Sequence, residues 1–336
     1  MTPLEETLTR DWWHLAAHRS ELAQPGAYVR LQWPLGDLLL YNDEGEIVAT
    51  DNICPHRGAR FFADKAGCGP MVCPYHGWRY REGQVRVARR AAFDPTDLEG
   101  IDIRRRPTAW CGDWLFVGVE PKQGLDEQLG AFAPFLAGVG ADMDGRQDFN
   151  AHLWESDWRV AVENALEAYH VPMVHPGSLG PMALAEGRFE FDGANSLWRT
   201  KVGNSGMARR LGGLRRLFDV PHANEGYINL HVFPFAMVAS TYGYTYSLQI
   251  FAPAGEPDRT HFSSRLYGAR TAPGKGAALT GFFESGAALN RQVLDEDHAI
   301  CRQVSTGFDL TSPERIYARS EERLRWFQAA LRRIVL

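Results

Sequence analysis

The chain has 336 residues, a net charge of −5 and 45% apolar residues, the composition of a soluble globular protein with room for about two domains. No basic excess offers a nucleic-acid surface, and no apolar run approaches the roughly 20 residues that span a bilayer, so neither nucleic acid nor membrane is expected as a partner. The N-terminus is charged and polar, which points to the cytoplasm.

In chain order, an amphipathic segment from Arg10 to Leu22 carries Trp12, Trp13 and Leu15 and is broken by Pro25-Gly26. Strand-like runs follow at Tyr28 to Trp33, Asp37 to Tyr41 and Ile47 to Thr50, separated by Pro34, Gly36 and Asp43 to Gly45, as in a small antiparallel β domain. Two loop arms come next. Cys54-Pro55-His56-Arg57-Gly58-Ala59 and Cys73-Pro74-Tyr75-His76-Gly77-Trp78 each offer one thiolate and one imidazole, with 16 residues between His56 and Cys73. A structural zinc site usually draws its cysteines from one knuckle and its histidines from a helix. One soft and one borderline ligand per arm instead suits two different irons, both cysteines on one and both histidines on the other, which is the Rieske [2Fe–2S] arrangement. Pro55 and Pro74 stiffen the arms, and Gly58 and Gly77 are expected to let backbone N–H groups approach the cluster sulfides. Strand-like runs at Trp78 to Tyr80, Gln84 to Val87, Ile101 to Arg105 and Trp114 to Val119 complete this domain, placed at residues 25–122.

Residues 123–150, rich in Gly with Pro134 and Asp142 to Asp148, read as a linker or covering segment. Gly138-Val139-Gly140 is no dinucleotide fingerprint, because Met143 stands where the third Gly belongs. A helix then runs from Asp157 to His170, where Pro172 ends it. Its positions 163, 167 and 170 share a stripe, so Glu167 and His170 project together, and the turn at Pro172 lets His175 swing back to the same point. Two imidazoles and one carboxylate with open positions make the facial triad of non-haem Fe(II) oxygenases. Read alone, the two histidines are ordinary core or surface residues; after a Rieske site they read as ligands. Aromatic strand-like runs occupy Tyr227 to Val238, Thr241 to Ala252 and Thr260 to Tyr267. A long helix from Ala277 to Val304 and a charged one from Pro313 to Arg333 close the chain. On the first, Leu289, Val293, Ile300 and Val304 define an apolar stripe that contains Asp297 and borders Glu296; either carboxylate can serve as third ligand, with Asp297 slightly favoured.

These motifs together resemble the oxygenase (alpha) component of the Rieske non-haem iron oxygenases, and the resemblance covers almost the whole chain. It implies an α+β architecture: a small antiparallel β Rieske domain, then a helix-grip catalytic domain at residues 123–336 with residues 1–24 packed against it. The family's Glu-Asp-x-x-Ile-Cys pattern, here Glu296 to Cys301, decides for Asp297, although the usual Glu after that Cys is Arg302. Ala59 and Tyr75 stand where respiratory Rieske proteins carry a disulfide, so the cluster is of the lower-potential oxygenase type. Cys68, Cys111 and Cys301 remain as free, mostly packing thiols.

The implied activity is O2-dependent oxidation, by hydroxylation or demethylation, of a small organic substrate. The electrons come ultimately from NAD(P)H through a separate reductase or ferredoxin, pass the cluster at Cys54, His56, Cys73 and His76, and reach a mononuclear iron on His170, His175 and Asp297. Glu167 sits where the family places the carboxylate that links the two centres across the boundary of a homotrimer, and Asn164 is a supporting residue one turn away. An aromatic or alicyclic substrate is expected, in a cavity for which Phe233, Phe235, Tyr242, Tyr244, Tyr246 and Phe251 are candidates, although half of them must face the other side of their strands and ordinary core is their commoner role. A quaternary ammonium substrate is the alternative, because Glu at 167 resembles members of that type. An electron carrier or ligand-binding protein without oxygenase activity is the other rival. Arginines 79, 81, 86, 89, 90 and 104–106 lie around the arms, where they read either as a solvated face or as a steering surface for an acidic donor. Arg209, Arg210, Arg215 and Arg216 read as a solvated face.

Overall fold

A computed structural model describes residues 1–304 and 315–335. The N-terminal half contains α1 (Pro3–Asp11), β1 (His14–His18), β2 (Ala27–Trp33), β3 (Gly36–Asp43), β4 (Glu46–Asp51), β5 (Ala66–Cys68), β6 (Arg79–Arg81), β7 (Gln84–Arg86), β8 (Arg105–Arg106), β9 (Thr108–Cys111) and β10 (Trp114–Val117). Strands β5, β2, β3, β4 and β8 form one sheet, β1, β10 and β9 a second, and β6 and β7 a hairpin, every pair antiparallel.

The opening segment differs from its expected amphipathic form. Thr2 and Glu5 make a reciprocal capping box with Pro3 in the first turn, so the helix starts early and ends at Asp11. His14 to His18 are buried on both faces and pair with β10, so their apolar run follows no helical period.

The second half adds α2 (Leu125–Leu129), α3 (Ala133–Ala141), β11 (Met143–Trp154), α4 (Trp158–Leu166), α5 (Val171–Val174), β12 (Arg188–Asp192), β13 (Asn195–Thr200), α6 (Ser205–Leu214), β14 (Tyr227–Val232), β15 (Ala236–Thr241), β16 (Thr245–Pro253), β17 (Thr260–Ala269), α7 (Gly276–Cys301) and α8 (Glu322–Val335). Its strands form one seven-stranded antiparallel sheet in the order β11-β17-β16-β15-β14-β13-β12. Helices α4 and α7 pack on this sheet and on each other. At 26 residues, α7 is about 39 Å long. The expected start of the last helix at Pro313 lies outside the described residues; α8 begins at Glu322.

Residues 123–150 are ordered structure rather than a linker. Pro134 sits in the first turn of α3, where a missing N–H costs nothing. Gly138 and Gly140 allow close packing: an added Cβ would meet the His222 ring at 2.8 Å and the Trp114 indole at 3.0 Å. Asp142 is buried, and the Asp142 to Asp148 stretch enters β11, paired with β17.

Helix α4 also ends earlier than expected. It stops at Leu166; Glu167 is extended (φ −127, ψ 168), and its carboxylate accepts the backbone N–H groups of Tyr169 and His170. That local side-chain bonding competes with helix continuation. Pro172 therefore opens α5 instead of closing α4, and Glu167 and His170 do not share a helical stripe. The last carbonyl of α4, Leu166 O, accepts from the buried Arg323 guanidinium of α8, which also donates to Ser196 and Asn229. Arg323→Leu leaves these acceptors dry and unpaired, which at about 1–3 kcal/mol per buried group lowers stability by about 2–3 kcal/mol in urea unfolding.

Candidate functional site

The two arms adopt the same local structure. In each, the Cys carbonyl accepts from the Gly four residues on (Gly58 N to Cys54 O, 3.0 Å; Gly77 N to Cys73 O, 2.9 Å). In each, the Cys N–H donates to the carbonyl five residues on, Ala59 at 2.8 Å and Trp78 at 2.6 Å. Gly58 and Gly77 have φ of +75 and +74, so they are required for the turn itself. Their own N–H groups are spent on the cysteine carbonyls, and the amides facing Cys54 Sγ are those of His56 and Arg57.

Cys54 and Cys73 are buried side by side, and all five cysteines are free, Cys68 alone being exposed. The His56 and His76 rings lie 4.6 Å apart, with His56 stacked on Trp78 at 4.7 Å. His56 Nδ1 is buried without a hydrogen-bond partner, and burial pushes the Cys54 thiol up against the lowering contact of the His56 amide. Two buried thiols beside two converging imidazoles, one with an orphaned nitrogen, fit a [2Fe–2S] cluster held by cysteines on one iron and histidines on the other.

In the second half, His170, His175 and Asp297 each offer a ligand atom within 4.8 Å of the others. His175 Nε2 lies 2.9 Å and His170 Nε2 3.5 Å from Asp297 Oδ1. Neighbouring ligands about 2.1 Å from one ion lie about 3 Å apart, so this spacing fits a single metal with further positions open. Each histidine has its other nitrogen held by a carboxylate: His170 Nδ1 by Glu167, and His175 Nδ1 by Glu296 Oε2 at 2.7 Å. Such bonds fix the tautomer that presents Nε2 to a metal. Glu296 thus occupies a supporting position; Ser178 at 2.5 Å and Gln292 at 2.8 Å hold its two oxygens. Asn164 donates to Asp297 Oδ1 at 2.7 Å. Glu163 points elsewhere, to Arg315 and Gln328.

Asp297 faces inward for a different reason than the expected stripe. On α7 the buried residues are Leu279, Leu294 and Cys301, whereas Ile300 and Val304 are exposed. His298, silent in the sequence reading, stacks on Trp154 at 4.9 Å and accepts from Glu155 N at 3.0 Å, locking α7 to the end of β11.

Burial acts to lower the His170 imidazole, but Asp297 and Glu167 outweigh it and raise it to about 9. His175 is raised in the same sense, burial being outweighed by Asp297 and Glu296. Asp297 is held below the carboxylate range: burial would raise it, and the two histidines reverse that.

The chain matches the ring hydroxylating alpha subunit (catalytic domain) family over residues 144–336 and the Rieske [2Fe-2S] domain over residues 12–97. It belongs to the ring-hydroxylating alpha-subunit family. A Rieske domain in front of this catalytic domain implies a Rieske cluster and a mononuclear iron. The chain is 27% identical over 184 residues to the carnitine monooxygenase oxygenase subunit of Acinetobacter baumannii (52% of this chain, 48% of that protein). It is 27% identical over 176 residues to the glycine betaine monooxygenase oxygenase subunit of Chromohalobacter salexigens (51% and 39%). The matches thus span about half or less of the length of these curated relatives. The crystal structure of the quaternary ammonium Rieske monooxygenase CntA with an inhibitor superposes with a TM-score of 0.75 over 98% of this chain and 90% of that one, at 19% identity, a likeness of fold.

This alpha subunit has a cavity of about 410 Å³ between the sheet and α7, within the range of small-molecule sites. Ser178, Tyr227, Gln249 and Leu266 line one side, Phe282, Leu289, Asn290 and Val293 of α7 the other, and Met207, Arg210 and Leu211 of α6 form its cover. Of the six aromatics expected there, only Tyr244 lines it. Phe233, Phe235 and Phe251 lie in the core around α4, Tyr246 in the core under α3, and Tyr242 against Phe218 and Leu279.

His170→Ala, His175→Ala and Asp297→Ala are each expected to abolish retention of the mononuclear iron, measured by metal analysis, with the visible spectrum of the cluster unchanged. Glu296→Ala weakens retention by about 10- to 100-fold without abolishing it, as a supporting carboxylate does. In the iron-free protein the raised His170 value means that its stabilising charge is complete below about pH 6.5 and lost as pH rises through about 9. Iron must displace that proton, so the affinity of the apoprotein for Fe(II) in a competition titration rises with pH up to about 9.

Proposed function

We propose that this chain is the terminal oxygenase component of a two-component or three-component system: it oxidises a small organic substrate with O2, using electrons from a separate reductase or ferredoxin and ultimately from NAD(P)H. The observation that carries this reading is the convergence of His170, His175 and Asp297 beside an apolar cavity, in one chain with the Cys54, His56, Cys73 and His76 arms. When bound, the cluster relays single electrons and the mononuclear iron activates O2. Residues 25–122 act as the electron-receiving unit, and residues 123–336, with 1–24 packed on them, as the catalytic unit. An electron carrier with an idle second site is less well supported, because both histidines there have their Nδ1 tied to carboxylates, an arrangement that serves a metal.

The chain's own residues divide the work. Glu167 and Glu296 orient the two imidazoles, and Asn164 orients Asp297. The apolar walls at Leu266, Leu289 and Val293 exclude water from the reacting position. On the Rieske side, a groove lined by Arg79, Arg81 and Arg86 with Glu82 as its one acid reaches Gly77, the residue after His76. That excess of positive charge suits an acidic electron donor.

The working form is a homotrimer in the cytoplasm, with the Rieske tip of one subunit placed against the iron site of the next. Ile53 and Tyr75 are exposed at the tip, and Tyr169, Met173, Ile300 and Val304 are exposed on or beside the elements that carry Glu167 and Asp297. Two different apolar patches on one chain suit a heterologous contact, which closes into a ring by rotation. Quaternary ammonium compounds are a second substrate reading, favoured by the relatives' activities and by Glu at 167.

Purified protein is expected to hold about three irons and two acid-labile sulfides per chain. Cys54→Ser or His76→Ala bleaches the visible absorption, and zinc in place of iron and sulfide would refute the assignment. Glu167→Gln keeps an acceptor for His170 Nδ1 but loses the charge. Iron, sulfide and trimer, read by metal analysis and light scattering, are expected to be retained, while single-turnover product falls at least tenfold. Wild-type product yield in this variant would remove Glu167 from the electron path.

A further inference from the structure

The cavity cover carries a feature that neither metal site uses. Arg210 is the one charged side chain lining the cavity among the described residues, and no carboxylate lines it. It makes no hydrogen bond or ion pair among the described residues, whereas Arg188 and Arg291 are paired with Glu190 and Asp148. It shares the inner side of α6 with Met207 and Leu211, while its neighbour Arg209 does not reach the cavity.

Position along the cavity follows from the flanking contacts. The start of α6 is held near Met182 and Pro181, through Asn204 N to Met182 O at 3.2 Å and Asn204 Nδ2 to Pro181 O at 3.1 Å. That is the metal end, because nearby Ser178 holds Glu296. The far end of α6 is held where Leu211 O accepts from Tyr244, whose ring lies 6.4 Å from Phe282. Phe282 and Val293 are 11 residues apart on α7, about 16 Å, and Asp297 is one turn beyond Val293. Arg210, next to Leu211, therefore belongs to the end away from the metal.

We infer that the cavity takes an elongated, largely apolar molecule ending in a carboxylate, with the acid on Arg210 and the opposite end at the His170, His175 and Asp297 centre. This rests on the oxygenase reading and narrows its substrate class. Arg210 is exposed at the mouth of the cavity, where its guanidinium presents a planar fork that matches a carboxylate. A bare quaternary ammonium group would meet only the faces of Tyr227, Tyr244 and Phe282 and would be repelled by Arg210. No residue of α6 is fully buried, so the helix is free to settle on a ligand.

The test uses the iron-loaded full chain and isothermal titration with ω-phenylalkanoates from phenylacetate to 8-phenyloctanoate, each matched by its alcohol, plus choline and tetramethylammonium as quaternary ammonium compounds without a carboxylate. The expected result is that one of the longer acids binds about tenfold more tightly than its alcohol. That preference should vanish in Arg210→Gln, return in part in Arg210→Lys and persist in Arg209→Gln. Equal binding of acid and alcohol, no binding by any acid, an acid preference untouched by Arg210→Gln, or tightest binding by choline or tetramethylammonium would overturn the inference. Turnover is scored separately. Arg210-dependent binding with no O2-dependent oxidation by reduced, iron-replete enzyme would refute the oxygenase reading and leave this one standing.

Discussion

Three carboxylates crowd two imidazoles in the catalytic half, and everything around them serves to keep that charge arrangement in place. Asp297 lies between His170 and His175, with Glu167 and Glu296 behind them. Gathering anions in a site of low exposure is unfavourable unless cations share it. In the metal-free protein the cations are protons, which is why both histidines are held above their ordinary value. A divalent ion does the same work with one charge centre and frees the Nε2 lone pairs for coordination. The Nδ1 contacts to Glu167 and Glu296 leave the Nε2 side of both imidazoles facing Asp297.

Holding the arrangement requires three separate elements to meet. The turn after α4 brings Glu167 and His170, α5 brings His175, and α7 brings Glu296 and Asp297. Two of them are pinned from outside the site: α4 by Arg323 at its last carbonyl, and α7 by the stacking of His298 on Trp154. The N-terminal segment is tied to the same scaffold through a buried network. Glu21 accepts from Arg146 of β11 at 2.6 Å and from Arg265 and Tyr267 of β17 at 3.2 and 2.5 Å. Burial would raise the Glu21 carboxyl, but Arg265 and Arg146 hold it below its ordinary value. A paired charge at that depth favours one relative placement of the N-terminal segment and the catalytic sheet over others.

What the sequence made legible was what is local. The two arms could be read directly because ligand, proline and glycine recur within six residues, and the strands β2, β3 and β4 because apolar residues between Gly and Asp turns are themselves short-range signals. Most of the misreadings involve partners far along the chain. Gly138 and Gly140 look like linker residues until Trp114 and His222 are seen against them. Leu289 and Val293 look like core, yet they line a cavity whose other wall is built from β14, β15, β16 and β17. The strands β12 and β13 carry Arg188, Glu190 and Arg199, which pair across the sheet edge and hide the strand period. The end of α4 was missed because Glu167, a good helix former, uses its side chain against its own backbone. Arg210 was legible only as one of four arginines, since its distinction from Arg209 is which side of α6 meets the cavity.

The cavity and the histidine–carboxylate cluster share one helix. Phe282, Leu289 and Val293 touch the cavity, and Glu296 and Asp297 reach the histidines, from the same continuous α7, so the cavity wall and the two carboxylates cannot shift independently without breaking that helix. A second path is chemical. Ser178 lines the cavity and donates to Glu296, which in turn holds His175 Nδ1. The cover is of the opposite kind, a ten-residue helix with no buried side chain, tethered near its ends. The cavity thus has one wall on a 26-residue helix that also carries Glu296 and Asp297, and a cover on a short helix with no buried residue.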